Sequence, residues 1–213
     1  MNQSPEQAPE AKEPTSAKQE IFSFIKTLAI LFLLAMALRG TVIEAFKIPS
    51  GSMLSTLQIG DHILVSKLSY GLRLPFVRET LWRYDEPERG DIVVFTRLDD
   101  PDTSTDESAD NIIKRVLGLP GDKVEVRSPY VYINDQRLDE PYARWVGPSS
   151  ELGNFGPVTV PQNTILLLGD NRNHSRDSRF WHDPFLPLER VKGRALIVYW
   201  SWADLSRIGK LIR

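Results

Sequence analysis

The chain has 213 residues, 41% of them hydrophobic, enough for one sizeable core with a small appendage but not for two large independent domains. Its 26 basic and 28 acidic side chains give a formal charge of −2, so it carries no basic footprint for nucleic acid. It has no cysteine, which excludes disulfides, thiolate metal sites and a cysteine nucleophile, and its three histidines, His62, His174 and His182, leave little for zinc or imidazole chemistry.

Residues 1–20 hold Pro5, Pro9 and Pro14 among Glu, Gln, Lys and Ser. Almost nothing apolar offsets the entropy of ordering them, so they read as a disordered tail. From Ile21 the composition inverts: Lys26 is the lone charge before an uninterrupted apolar run from Thr27 to Leu38. Continued past Arg39, residues 21–41 reach the roughly 20 residues that a transmembrane helix needs, with Lys26 snorkelling to the interface. The run is apolar on every face, unlike a buried amphipathic helix. The long stretch ahead of it, with its Pro and Glu, is unlike the start of a cleaved signal sequence. Lys12, Lys18 and Lys26 lie before the span and Arg39 and Lys47 just beyond it, so charge alone does not fix its orientation.

Beyond the span, residues 42–202 read as a mainly β domain. Short β-branched runs broken by Gly, Pro, Asn and Asp predict strands at Ile63–Val65, Asp91–Arg97, Asn111–Leu117, Lys123–Arg127 and Thr164–Leu168, with a late one at Arg194–Trp202. Tyr130–Leu138 predicts a hairpin, because Asn134 and Asp135 tolerate the positive φ of a two-residue turn. Asp99–Asp110 holds six acidic residues in twelve and predicts an exposed loop; a calcium site there lacks the glycine and spacing of an EF-hand. Residues 203–213 combine Leu205, Ile208, Leu211 and Ile212 with Arg207, Lys210 and Arg213. That basic amphipathic pattern suits either a lipid surface or packing on the β domain.

Three segments carry candidate chemistry. Phe46-Lys47-Ile48-Pro49-Ser50-Gly51-Ser52 runs from alternating apolar residues into a turn that exposes two hydroxyls, a setting for a nucleophile beside backbone donors. A serine needs a base within hydrogen-bond reach. One candidate is His174, which shares a polar stretch with Asp170 and Asp177 as a Ser-His-Asp arrangement would require. Another is Lys114, flanked on its own face by Ile112 and Val116. Desolvation there disfavours the ammonium and turns a counter-ion into a base, whereas a lysine on an edge strand would do neither. Arg115 has apolar neighbours too, on the opposite face. The third segment, Leu166 to Trp181, is a strand feeding a loop of alternating Arg and Asp with serine hydroxyls, suited to bracing by ion pairs.

Together these segments resemble the bacterial type I signal peptidases, or leader peptidases. The nucleophile segment of that family is similar to Ile48-Pro49-Ser50-Gly51-Ser52-Met53, Thr56-Leu57 and Gly60-Asp61. Its further blocks are similar to Arg89–Phe95, to Lys114–Val116 with Gly118–Asp122, and to Gly169–Arg172 followed by Ser175, Asp177, Ser178 and Arg179. Four ordered blocks are far more specific than one. The resemblance implies a domain of coiled, partly barrel-like antiparallel sheets behind one N-terminal transmembrane helix. It implies Ser52 as nucleophile, Lys114 as general base, Ser175 orienting the amine, and the Ser50 hydroxyl with the Ser52 N–H as oxyanion hole. Asp177 and Arg179 become a supporting ion pair, Gly169, Asp170 and Arg172 brace the loop, and Phe46, Ile48 and Ile113 line shallow pockets for small side chains before the cut.

The implied substrates are signal peptides of exported preproteins, cut after Ala-X-Ala near the export machinery, with no metal or cofactor. The implied location is the bacterial cytoplasmic membrane, single-pass, with the N-terminus and its tail of residues 1–20 cytoplasmic and the catalytic domain outside. Three positions depart from the family pattern: Ser55 for proline, His182 for glycine and Asn173 for aspartate. Two other readings stand beside this one, a Ser/Lys protease of the self-cleaving repressor kind, which gives no reason for the span, and a catalytically silent tethered β domain.

Overall fold

The computed structural model of the chain describes residues 17–72, 82–96, 111–145 and 154–213, and it divides into Met1–Leu38 and Arg39–Arg213. The acidic stretch Asp99–Asp110 and residues 1–16 of the expected tail lie outside the described residues.

Among the described residues the one α-helix, α1 (Ala17–Thr41), covers 25 residues, about 37 Å at 1.5 Å per residue, against about 30 Å of bilayer hydrocarbon. It begins four residues before the expected Ile21, because Ala17, Lys18, Gln19 and Glu20 are all good helix formers and Glu20 suits the first turn. Every large apolar side chain from Ile21 to Met36 is exposed, with Phe22, Phe24, Phe32 and Leu33 each more than 60% so. Such an all-round apolar surface is long enough to cross a membrane and unfavourable in water. Thr27 returns its hydroxyl to the Ser23 carbonyl at 2.9 Å, satisfying it within the helix.

The second unit is built from antiparallel strands: β1 (Ile43–Lys47), β2 (Asp61–Ser66), β3 (Gly71–Leu72), β4 (Trp82–Arg83), β5 (Ile92–Phe95), β6 (Ile112–Gly118), β7 (Lys123–Arg127), β8 (Tyr130–Ile133), β9 (Gln136–Arg137), β10 (Phe155–Thr159), β11 (Thr164–Leu168), β12 (Phe185–Pro187) and β13 (Val191–Ser201). The main sheet has seven strands in the order β1-β2-β13-β5-β6-β11-β12; a second runs β10-β7-β8-β9, and β3 and β4 form a small pair. The main sheet is open, with β1 and β12 at its edges, rather than a closed barrel. Its longest strand, β13, shifts register against both β2 and β5, and such irregularities bend and twist a sheet.

The hairpin at Asn134 and Asp135 forms as expected, with φ of 52° and 67° at those residues. The strand β10 escaped sequence reading because Gly156 and Pro157 interrupt it. It tolerates them at a sheet edge, where its register against β7 shifts between Phe155 and Val158. Three apolar clusters fill the unit. One packs Ile48, Met53, Leu57, Ile63, Ile113 and Val198. The others centre on Val116, Ile165 and Leu167 and on Leu117, Val126 and Leu168. Strand β6 contributes to all three, with both of its faces buried.

Candidate active site

The turn after β1 owes its shape to pairing that stops short. Ile48 extends the β1–β2 ladder, donating to Asp61 O at 2.8 Å and accepting from Gly60 N–H at 2.9 Å, and Pro49 then removes the next donor. Residues 50–57 turn back on themselves, with Leu54 N–H on Gly51 O and Leu57 N–H on Met53 O. Met53 and Leu57 are fully buried, so their side chains anchor the turn while Ser52 is carried beneath the surface, 4% exposed. The Ser52 N–H is not used by the turn's own backbone hydrogen bonds. Ser50, two residues earlier, stays half-buried.

Lys114 reaches this turn from the interior of the sheet. Its strand lies between β5 and β11, so the edge-strand alternative does not hold, and the side chain is 3% exposed. Val93 is its cross-strand neighbour. The Lys114 amine donates to Ser52 Oγ at 2.8 Å and to Ile113 O at 3.1 Å. His174, the other candidate base, sits exposed at the end of a short 3₁₀ turn, Arg172–His174, and makes no hydrogen bond to Ser52. Phe46, Ile48 and Ile113 come together in one apolar cluster beside the turn, Phe46 half-buried and the two isoleucines nearly closed at 2% and 8% exposure.

The loop after β11 clamps the turn. Asn171 donates its N–H to Ser52 O at 3.0 Å and its side-chain amide to Gly51 O at 2.9 Å. The two segments approach so closely at Gly169 that a Cβ there would meet Ser175 Oγ at 2.1 Å and Ser52 O at 2.6 Å. Ser175, expected to orient the lysine amine, lies against this contact, 5% exposed. Its hydroxyl has no hydrogen-bond partner among the described residues, so the expected bond to Lys114 is not formed. Asp177 receives Gly169 N–H at 2.9 Å and pairs with Arg179 at 2.8 and 2.9 Å, while Arg179 also donates to Arg172 O.

Asp170 and Arg172 brace the loop through partners in other segments rather than through each other. Asp170 takes two hydrogen bonds from Arg115, at 2.8 and 2.7 Å, and one from the Thr56 hydroxyl at 2.5 Å. Arg172 forks onto Glu140 at 3.0 and 2.6 Å. Glu140 holds the Arg172 guanidinium pKa above its usual value, against burial, which acts the other way. Tyr142, stacked 3.7 Å under the Arg115 guanidinium, has its phenol pushed well up by burial and then by Glu140. Ser55, in the departure from proline, donates to Tyr142 O at 3.1 Å, so this segment also touches the turn.

The far end of the turn is held by residues that sequence reading assigned no role. Asp61, fully buried, takes three hydrogen bonds from Arg207 at 2.6 to 3.1 Å and one from Gln58 N–H at 2.9 Å. Arg207 also donates to Thr56 O at 2.9 Å. Burial alone would raise the Asp61 pKa, but the Arg207, Gln58 and Ser201 hydrogen bonds hold it below the ordinary aspartate value. Arg207 belongs to the basic amphipathic C-terminal segment, so that residue packs on the β domain. The sequence signal was present in Gly60-Asp61, but its partner lies 146 residues away.

A buried serine against a buried lysine, on four sequence blocks that converge in space, invites comparison with known proteins. Residues 21–200 match the family described as signal peptidase, peptidase S26. The chain belongs to that family. A relative named "Probable signal peptidase I-2" from a Synechocystis strain is 42% identical over 87% of this chain and 75% of its own length. Signal peptidase I of Leptolyngbya laminosa is 37% identical over 98% of this chain and 92% of its own. A crystal structure of a signal peptidase I from Enterococcus faecalis aligns with 52% of this chain and 97% of its own, at 30% identity and a TM-score of 0.41. The family match spans the turn at residues 50–57, β6 and the clamping loop, and it includes most of α1.

Proposed function

We propose that this member of the signal peptidase family is a serine endopeptidase that removes signal peptides from exported preproteins, with Ser52 as nucleophile and Lys114 as general base. The observation that carries this reading is the 2.8 Å contact between Lys114 Nζ and Ser52 Oγ in a place closed to water. Burial disfavours the ammonium, so the amine tends toward its neutral form. The same contact then runs in reverse, the hydroxyl donating to the amine lone pair, while Ile113 O keeps an amine N–H and sets the direction of that lone pair.

As Ser52 Oγ attacks the scissile carbonyl carbon, its proton passes to Lys114. The carbonyl oxygen becomes an oxyanion, stabilised by the Ser52 N–H and the Ser50 hydroxyl. Collapse breaks the C–N bond, and the ammonium returns its proton to the leaving amine. Water, giving a proton to the same amine, then attacks the acyl-enzyme; collapse breaks the C–O bond to Ser52, the ammonium returns its proton to Ser52 Oγ, and the signal peptide is freed. The buried, unfilled Ser175 hydroxyl near the Ser52 carbonyl supports a role for it in holding the amine between these proton transfers.

Substrate recognition follows from the edge of the main sheet. Among the described residues, strand β1 pairs with β2 alone in that sheet, leaving its other edge for an extended peptide. Phe46, Ile48 and Ile113 give that edge an apolar floor with little open surface. Alanine fits there and larger side chains do not, which favours Ala-X-Ala before the cut. The α1 helix anchors the enzyme in the cytoplasmic membrane, where signal peptides are embedded and the export machinery delivers them, with its N-terminus cytoplasmic. Anchoring raises the effective substrate concentration without new contacts.

The test incubates detergent-solubilised protein with a preprotein and maps the cut by mass spectrometry, alongside Ser52→Ala and Lys114→Ala. Cleavage at an Ala-X-Ala site by the wild type and loss in both variants is the expected result. Near wild-type processing by either variant overturns the assignment.

A further inference from the structure

Two peptide planes meet at the Ser52 Cα, and the carbonyls of both, Gly51 O and Ser52 O, are held by one residue. Asn171 donates its backbone N–H to Ser52 O at 3.0 Å and its side-chain Nδ2 to Gly51 O at 2.9 Å. Any residue but proline at position 171 could make the first bond. The second belongs to the asparagine side chain alone.

That side chain forgoes the local use asparagine usually has at such a position. Asn171 is the N-cap of the 3₁₀ turn Arg172–His174, yet its side chain makes no capping hydrogen bond there. The residue is 6% exposed, and its Oδ1 has no hydrogen-bond partner among the described residues. An open buried acceptor is a cost to the fold, and what the amide supplies against it is the bond to Gly51 O. The backbone of Asn171 is fixed from its other side, where Arg144 N–H donates to Asp170 O at 2.7 Å and Arg172 N–H to Arg144 O at 2.9 Å. The Arg115–Asp170 and Arg172–Glu140 pairs hold the residues before and after it, so the amide works from a rigid footing.

Resting on the peptidase reading, we propose that Asn171 is the positioning residue of the oxyanion hole: by holding Gly51 O, its side chain aims the Ser52 N–H. The Gly51–Ser52 bond is not among the cis peptides of the chain, and in a trans peptide the C=O and N–H lie in one plane and point opposite ways. Fixing Gly51 O against the clamping loop therefore sends the Ser52 N–H away from that loop, and the turn's own backbone hydrogen bonds leave this N–H unused. Leu54 N–H also reaches Gly51 O, at 3.2 Å, but it belongs to the same turn and moves with it. Gly51 has no Cβ to restrict the plane, so without the amide the plane is free to tilt. The Lys114–Ser52 contact and the backbone bond to Ser52 O do not use this side chain. Nucleophile and oxyanion donor are thus held by separate bonds.

The test uses the full-length solubilised protein and two short Ala-X-Ala substrates that differ in one atom, an ester and its thionoester at the scissile carbonyl. Asn171→Ala removes the amide, and Asn171→Asp removes the donor while keeping the side-chain shape, so agreement between them separates the lost bond from lost volume, and either one that folds reads the result. In both, kcat on the ester is expected to fall about 30-fold with KM little changed, less than the roughly 10²- to 10³-fold that loss of a whole oxyanion donor costs. Sulfur accepts hydrogen bonds more weakly than oxygen, so the thionoester draws less on the hole. The ester-to-thionoester ratio in kcat should therefore shrink about tenfold, whereas damage to the Ser52–Lys114 pair or to the fold at large would slow both substrates alike. An unchanged ratio overturns the proposal, and so does a wild-type kcat on the ester in either variant. Failure of the wild type to cleave any substrate defeats instead the peptidase reading beneath it.

Discussion

Arg115 and Asp170 close on one another through two hydrogen bonds, at 2.8 and 2.7 Å, with side-chain exposures of 1% and 0%. The pair joins β6 to the clamping loop, and through Thr56 it also holds the turn that carries Ser52. Removing one partner of such a pair leaves a buried charge uncompensated. Arg115→Met is therefore expected to cost about 3–5 kcal/mol of stability, visible as a lowered unfolding midpoint of the solubilised protein. A midpoint within error of the wild type would show that the pair is not what holds the loop.

Lys114→Arg separates charge from basicity. An arginine cannot lose its proton to become a base, so preprotein cleavage is expected to fall by about 10³-fold, within the range for loss of a general base. Substrate binding should persist, measured with a labelled peptide on the Lys114→Arg protein. An active arginine variant would mean that the 2.8 Å contact serves only to position Ser52.

Gly169→Ala tests the close approach of the loop and the turn. The added methyl would sit 2.1 Å from Ser175 Oγ and 2.6 Å from Ser52 O, and because the second atom belongs to the backbone, the clash cannot be relieved by a rotamer change. Ser52 is expected to shift, and kcat to fall at least about 10²-fold, since small misplacements near a reacting centre have effects of that size. Retained kcat would show that the turn tolerates displacement.

The Asp61–Arg207 pair predicts a definite pH signature. The Asp61 carboxyl in the folded protein titrates below its usual 3.8, so the pair contributes its full stability above that value and loses it as pH falls through the lower folded value. In Arg207→Met the buried carboxylate has lost its cation, and burial raises its pKa instead. That variant should be destabilised at neutral pH and recover part of the deficit on acidification, opposite in slope to the wild type. Parallel unfolding midpoints for the two proteins between pH 7 and pH 3 would contradict this; those limits are about the range over which the carboxylates titrate.

Phe46→Ala is expected to open the apolar floor before the cut. Phe46 is half-buried, so truncation makes room without emptying the core. The ratio of cleavage after a valine-bearing site to cleavage after an alanine-bearing one should rise about tenfold, the scale of one or two methylenes in an apolar pocket. An unchanged ratio would remove Phe46 from the specificity surface.

Local features of this fold were legible in the sequence because they depend on neighbours in the chain. Lys123–Arg127 and Thr164–Leu168 form as expected, their alternation or apolar density being enough, and Asn134-Asp135 encodes its own turn. Several short strands were not legible, Gly71–Leu72 and Trp82–Arg83 among them. Phe155–Thr159 carries a Gly-Pro that only an edge position excuses, and Phe185–Pro187 has three residues. At the site, the serine turn and the lysine strand could each be located, but alternation could not choose between Lys114 and Arg115, since both faces of β6 are buried. The partners of Asp170, Arg172 and Asp61 are set by long-range closure, so Arg115, Glu140 and Arg207 could be assigned only in three dimensions.

On β6, three consecutive residues have three different fates. Ile113 joins an apolar cluster, Lys114 meets a hydroxyl, and Arg115 meets a carboxylate. What assigns those fates is the alignment of Ile92 with Arg115 and Val93 with Lys114 on the adjoining strand. A slip of a single residue would deliver either a guanidinium to the serine, with Val116 opposite Asp170, or an amine to Asp170, with Ile113 at the serine. Length changes ahead of Ile112 leave this alignment intact, whereas one amino acid added between Ile112 and Lys114 would convert a hydrolase into an inert fold mate. The chemistry of this enzyme is thus inherited from hydrogen bonds that never touch a substrate.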